Sequence, residues 1–207
     1  MQPHPVDPSP GAYLRATDVI DSESPAVASL AAKLAGSERG VAAIRRLYEW
    51  VRDSVPPTAD QGGGPATCRA AEVLAAGTGI CYAKSHLLAA LLRSVGVPTG
   101  LCYQRLRNDP PEPRFVLHAL NAVYVESWGA WVRLDARGNR PAQPDGRTAV
   151  AAEFTRDGHR LAFPVDPASG EVDDDRVFAE PLRSTVAALR SAADFETLWR
   201  TLPDELP

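Results

Sequence analysis

The chain has 207 residues, 44% of them hydrophobic, and its 22 basic and 26 acidic side chains give a net charge of −4. That length supports one domain with a sizeable core, and the mildly acidic balance, with no run of like charge, gives no basis for binding nucleic acid or an anionic membrane. Three cysteines, at 68, 81 and 102, form no CxxC pair, and the odd count argues against a disulfide framework or a closed zinc site. Free thiols, the lack of a basic-then-apolar leader and the absence of any run of about 18 apolar residues predict a cytoplasmic protein.

Residues 1–22, with Pro3, Pro5, Pro8 and Pro10, read as an extended proline-rich leader awaiting a surface that packs on Tyr13 and Leu14. Ser24-Pro25 opens a helix through Val27, Leu30 and Leu34 that Gly36 closes. Ser37 is the predicted cap of a second helix, whose apolar face is Val41, Ile44, Leu47, Tyr48 and Val51 and which ends at Pro56-Pro57. Residues 56–66, with three consecutive glycines, read as a flexible loop. Thr67 is placed to cap a short helix through Val73 and Leu74, with Gly77 as its terminator.

The stretch Gly77-Thr78-Gly79-Ile80-Cys81 then delivers a cysteine onto the first turn of a helix of about 15 residues. Leu87, Leu88, Leu91, Leu92 and Val95 recur along it, and Gly96 and Pro98 stop it. Unpaired N–H groups and the positive end of the macrodipole favour a thiolate there. A cysteine on an apolar helix is also what a small core residue looks like. His86 shares a stripe with Arg93 roughly 140° from Cys81, so the nearest histidine in sequence faces away from the thiol.

Beyond Pro98 the period changes to two. Leu101 to Leu106 reads as a strand, Asn108 to Pro113 as a proline-rich loop, and Phe115–Val125 as a long strand whose hairpin partner is Trp131–Asp135. A four-residue loop at 126–129 makes Val125 oppose Ala130, so Leu120 opposes Asp135 and His118 lies diagonally from it on the same face. A carboxylate beside a histidine fixes its tautomer and supports an imidazolium, as a Cys–His pair requires.

Further along, Ala149 to Thr155 and Arg160 to Val165 flank Asp157-Gly158, a hairpin signal that puts His159 at an exposed turn end. Asp173-Asp174-Asp175 lacks calcium-loop spacing and reads as a solvated turn. Two packing helices, Pro181 to Arg190 and Ala193 to Leu202, close the chain, anchored by Phe195, Leu198 and Trp199.

Gly79-Ile80-Cys81, the helix ending Leu-Leu-Arg-Ser-Val-Gly-Val-Pro, His118 on a strand and Trp131-Val132-Arg133-Leu134-Asp135 on the next together resemble the transglutaminase-like superfamily of papain-like cysteine enzymes. The resemblance covers about residues 40–140. It implies an α+β, papain-like core, with N-terminal helices and a central Cys-bearing helix packed on an antiparallel β-sheet, in a single domain over 23–207 that takes in a C-terminal hairpin and helices at 149–202. It also implies Cys81 as nucleophile, His118 as base and later acid, and Asp135 as the orienting carboxylate, with no metal or cofactor. Where members often carry a proline after the aspartate, this chain has Ala136-Arg137-Gly138, leaving Arg137 to meet a substrate carboxylate or pair with an acidic neighbour. The Cys81 N–H is one oxyanion donor, and Tyr103 or Gln104 is the candidate second. The expected chemistry is acyl transfer from a peptide, protein or small amide, peptidase or amidase rather than cross-linking. Alternatives are arylamine N-acetyltransferase-like transfer and a catalytically silent binding or scaffold module.

Overall fold

Every residue from Tyr82 to Arg93 is buried, so the helix beginning at Cys81, α4 (Cys81–Ser94), runs through the middle of the molecule. The computed structural model describes residues 2–108, 113–140, 150–158 and 160–207. On one side α4 is packed by α1 (Pro25–Ala35), α2 (Gly40–Ser54) and α3 (Ala70–Ala76), and on the other by β2 (Thr99–Arg107) and β3 (Phe115–Val125). These strands belong to an antiparallel sheet of order β4-β3-β2-β5, with β4 at Ala130–Leu134 and β5 at Val172–Asp173. Helices α5 (Arg183–Ser191) and α6 (Phe195–Arg200) follow. The fold is α+β, and among the described residues no helix is long and apolar enough to cross a membrane.

The helices begin later than cap chemistry predicts. Arg39, not Ser37, is the N-cap of α2, and Arg69, not Thr67, that of α3. At α3 the capping oxygen belongs to Glu72, which accepts from the N–H groups of Cys68 (2.9 Å) and Arg69 (3.0 Å). Gly77 ends α3 at φ +66°, where a side chain would be strained, and its N–H returns to Val73 O.

The leader is bound rather than free. β1 (His4–Pro5) pairs in parallel with β6 (Arg176–Val177), and the fully buried Tyr13 donates its hydroxyl to Val177 O and meets Trp131 edge-on at 4.8 Å, leaving Leu14 exposed. Residues 56–66 are pinned as well: Thr58 N–H donates to Gly79 O and Thr78 Oγ1 to Pro56 O, fastening this segment across the cysteine turn. The acidic run is not a solvated turn either. Asp173 pairs through β5 with β2 and takes Arg133 at 2.6 Å, while the buried Asp174 holds Arg176.

The hairpin expected around Asp157-Gly158 keeps its turn, Gly158 N–H to Thr155 O, and one rung, Glu153 N–H to Arg160 O, but no strand forms among its described residues. Gly158, at φ +65°, lies so close to β4 that a Cβ would stand 2.9 Å from Arg133 N. Ala149, His159 and residues 109–112 of the proline-rich loop lie outside the described residues. In α6, Leu198 is buried, whereas Trp199 is 42% exposed and packs against Phe195, ring centroids 5.8 Å apart, on the wall of a cleft.

Arg93 closes the far end of α4. Its buried guanidinium donates to Thr99 O, Arg15 O and Ala179 O, joining the helix to β2, the leader and the segment after β6. Arg93→Met leaves these carbonyls unpaired and is expected to lower stability by about 3 kcal/mol, seen as a lower urea midpoint at unchanged slope. Arg93→Lys should recover only part of the loss, because an ammonium lacks the planar fork.

Candidate active site

The first turn of α4 leaves the N–H groups of Cys81, Tyr82 and Ala83 without intrahelical acceptors, the first helical bond being Lys84 N–H to Ile80 O. Cys81 is half-buried at this end and opens on a cleft of about 1050 Å³ whose wall includes His118. Cys68 and Cys102 are buried away from it, and all three thiols are free.

His118 reaches the thiol because β3 is tied to α4 on both sides of it. Beyond the last β3–β4 rung, Asn121 to Leu134, β3 has no strand neighbour on that edge among the described residues. Leu117 N–H is taken by Pro203 O at 2.7 Å; Tyr82 donates its hydroxyl to Leu117 O at 2.7 Å and Ser85 donates to Ala119 O at 3.2 Å. The residues on either side of His118 are therefore hydrogen-bonded to the helix that carries Cys81.

The hairpin register is the one the loop length implies, with Val125 opposite Ala130. His118 Nε2 donates to Asp135 Oδ2 at 2.9 Å, leaving Nδ1 as the ring nitrogen for the thiol. Asp135 is wholly buried, and its other contacts are backbone donors: Ala162 N–H to Oδ2 and Arg137 N–H to Oδ1, each 2.9 Å. Burial alone disfavours its charge, but the imidazole and these N–H groups outweigh it and hold the carboxyl below its ordinary range. Burial likewise works against the His118 cation. The charges of Asp135 and of Cys81, together with hydrogen bonding to both, raise the imidazole from its ordinary 6.5 to about 10. Phe163 and the imidazole meet edge-on at 4.6 Å, and Arg140 lies over the Phe163 ring at 4.3 Å.

Of the remaining sequence candidates, Arg137 lines the cleft but spends its Nη2 on Asp60 at 2.7 Å. Tyr103 is not at the thiol's mouth: fully buried, it accepts Leu182 N–H at its hydroxyl and meets Phe178 edge-on. Gln104 stands opposite His118 in register, yet its Nε2 donates to Asp173 and it opens into a separate recess bounded by Phe163 and Arg133. Neither is placed as an oxyanion donor. Ala162, Phe163, Tyr82 and Ser85 were not singled out from sequence. Among the described residues no group of three or more His, Cys, Asp or Glu side chains is placed to hold a metal.

A profile of the transglutaminase-like superfamily matches residues 28–136, just over half of the sequence. The chain belongs to the transglutaminase-like superfamily. One solved structure agrees on the fold. A provisionally assigned cysteine protease from Cytophaga hutchinsonii aligns at 20% identity and TM-score 0.52, over 75% of this chain and 50% of that one. The periplasmic domain of TgpA from Pseudomonas aeruginosa, bound to ethylmercury, aligns at 17% identity and TM-score 0.47, over 63% and 49%. The chain thus spans about half the length of these structures. No curated protein matches the sequence.

His86, the histidine nearest to Cys81 in sequence, is fully buried on the opposite stripe of this superfamily helix, its Nδ1 2.8 Å from Cys68 O. Burial, only partly offset by that hydrogen bond, lowers it from 6.5 to about 4. A histidine kept neutral in the fold contributes stability above its unfolded value that is lost as pH falls through the folded one. Urea unfolding should therefore show a loss of roughly 3 kcal/mol attributable to His86 between about pH 6.5 and 4. His86→Gln should flatten that limb.

Proposed function

We propose that this superfamily member is a cysteine amidase or peptidase working through a Cys81 thioester. The observation that carries the reading is a half-buried thiol at a helix N-terminus, facing a cleft shared with an imidazole whose other nitrogen is on a buried carboxylate. In the first half-reaction the Cys81 thiolate attacks the amide carbonyl and forms a C–S bond. The Cys81 N–H, unclaimed at the first helical turn, faces the developing oxyanion. His118 delivers its proton to the departing amine as the C–N bond breaks. In the second, His118 takes a proton from water, the resulting hydroxide attacks the thioester, and the thiolate leaves. Because Cys81 is not sealed, water is the natural acceptor, which favours hydrolysis over cross-linking.

The cleft also suggests the acyl donor. Five arginines, at 107, 114, 137, 140 and 200, line it against three carboxylates, Asp60, Asp166 and Glu171, in a chain of net charge −4. Arg137 is paired with Asp60 and Arg200 with Glu196, Arg114 and Arg140 donate to backbone carbonyls, and Asp166 and Glu171 accept backbone N–H groups, so the formal charge left on the wall is three arginines against two carboxylates. Peptides or small amides carrying a carboxylate are therefore the expected donors.

Two measurements test the reading. Site-resolved alkylation by iodoacetamide should be fast at Cys81 below about pH 7 and lost in His118→Ala, whereas slow alkylation with an ordinary thiol profile near ~8.5 would overturn it. Asp135→Asn should still fold but melt lower, because an amide cannot accept at both of the positions that take the Arg137 and Ala162 N–H groups, and it should slow turnover of an amide substrate by roughly 10²–10⁴-fold.

A further inference from the structure

The cleft is larger than the breaking of one amide requires. At about 1050 Å³ it has the capacity of a pocket for a drug-sized ligand, whereas the reacting atoms need only the mouth beside Cys81 and His118. Part of the remaining wall comes from α6 and the turn after it: Phe195, Leu198, Trp199 and Leu202. A helix of six residues is marginal by itself, yet this one is fastened at both ends. Phe195 N–H donates to Gly64 O at 3.0 Å, and Asp194 caps the helix by accepting Thr197 N–H at 2.8 Å. Beyond the helix, Pro203 O takes Leu117 N–H at 2.7 Å, and Arg114, the residue before β3, donates to Trp199 O and Leu202 O. The end of α6 is thus held to β3 one residue from His118.

Two side chains at this end lack a complement. Trp199 is 42% exposed, its indole meeting Phe195 at 5.8 Å between ring centroids with 36° between the planes. An indole left this open costs apolar hydration that a ring laid on it would relieve. Arg114 gives its hydrogen bonds to neutral carbonyls and has no carboxylate partner among the described residues, so its charge is uncompensated where α6 meets β3. We propose that this end of the cleft seats the departing amine, and that the amine is an aromatic amino acid with a free carboxylate, its ring on Trp199 and its carboxylate facing Arg114. The inference rests on the acyl-transfer reading above. The side follows from position, because the wall is bonded to the residue next to the imidazole that protonates the amine. The substrate is then an acylated aromatic amino acid or a peptide ending in one. Its C–N bond breaks, the amino acid leaves with the proton from His118, and the acyl group stays on Cys81 until water releases it as an acid.

The test measures binding to full-length Cys81→Ala, following the Trp199 indole N–H by NMR. N-acetyl-L-phenylalanine should bind about tenfold more tightly than N-acetyl-L-alanine, which lacks the ring, and than N-acetyl-L-phenylalaninamide, which lacks the charge. Phenylacetyl-L-alanine, with its ring on the acyl side, should gain nothing over N-acetyl-L-alanine. Adding Trp199→Leu should bring the phenylalanine probe down to the alanine level. Equal binding of the acetyl probes, an equal gain from the acyl-side ring, or a preference that survives Trp199→Leu overturns the proposal. If that variant does not fold, the indole resonance decides: it must shift with the phenylalanine probe and not with the alanine probe. An indole that moves with protein concentration and not with the probe assigns this face to a second copy of the chain and also overturns it. The predicted binding pattern without release of phenylalanine by the wild type would sink the acyl-transfer reading and leave the ring-and-carboxylate seat standing.

Discussion

A wholly buried carboxylate sets the terms for the rest of this structure. Asp135 can remain ionised only if its oxygens are surrounded by donors, and three are supplied: the His118 ring, the Arg137 N–H and the Ala162 N–H. They come from β3, from the turn leaving β4 and from the irregular segment before β5. The donors must converge to within hydrogen-bond distance, so those parts of the chain are fixed relative to one another, and the imidazole is fixed with them. That convergence explains why a segment without strands is nevertheless buried at Ala152, Phe154, Leu161 and Ala162.

What could be read from sequence follows the physics of local order. The β3–β4 register was legible because a short loop fixes pairing, and strand periodicity then places His118 and Asp135 on one face. The start of α4 was legible from Gly77 and the apolar period, and the wheel correctly turned His86 away from Cys81. Depth was not legible. Gln104 shares a face with His118, but alternation does not tell that Phe163 stands between it and the cleft, and Tyr103 is swallowed by the core. Ala162 contributes a backbone N–H, which no side-chain pattern announces. The cap at Thr67 failed for a related reason: Glu72 supplied the acceptor from inside α3, and the helix began where that bond could form.

Alignment of a thiol on a helix with an imidazole on a sheet asks for more than packing, since apolar contacts alone tolerate small slips that a hydrogen-bonded pair does not. Here β4 is short. It ends at Leu134, and the unpaired β3 edge beyond it exposes the carbonyls of Leu117 and Ala119 to the hydroxyls of Tyr82 and Ser85. A longer β4 would have claimed these carbonyls for the sheet and cut the link to α4. The early end of the strand therefore does two things at once: it releases Asp135 from the ladder into the site, and it frees the groups that lock His118 against the cysteine helix. Arg93 performs the matching task at the other end, so α4 is held to the sheet side of the molecule at both termini. The polar groups buried near the thiol are each costly in isolation. They are tolerable because α4 is otherwise enclosed by apolar side chains from three helices and two strands, whose burial is the dominant favourable contribution to the fold.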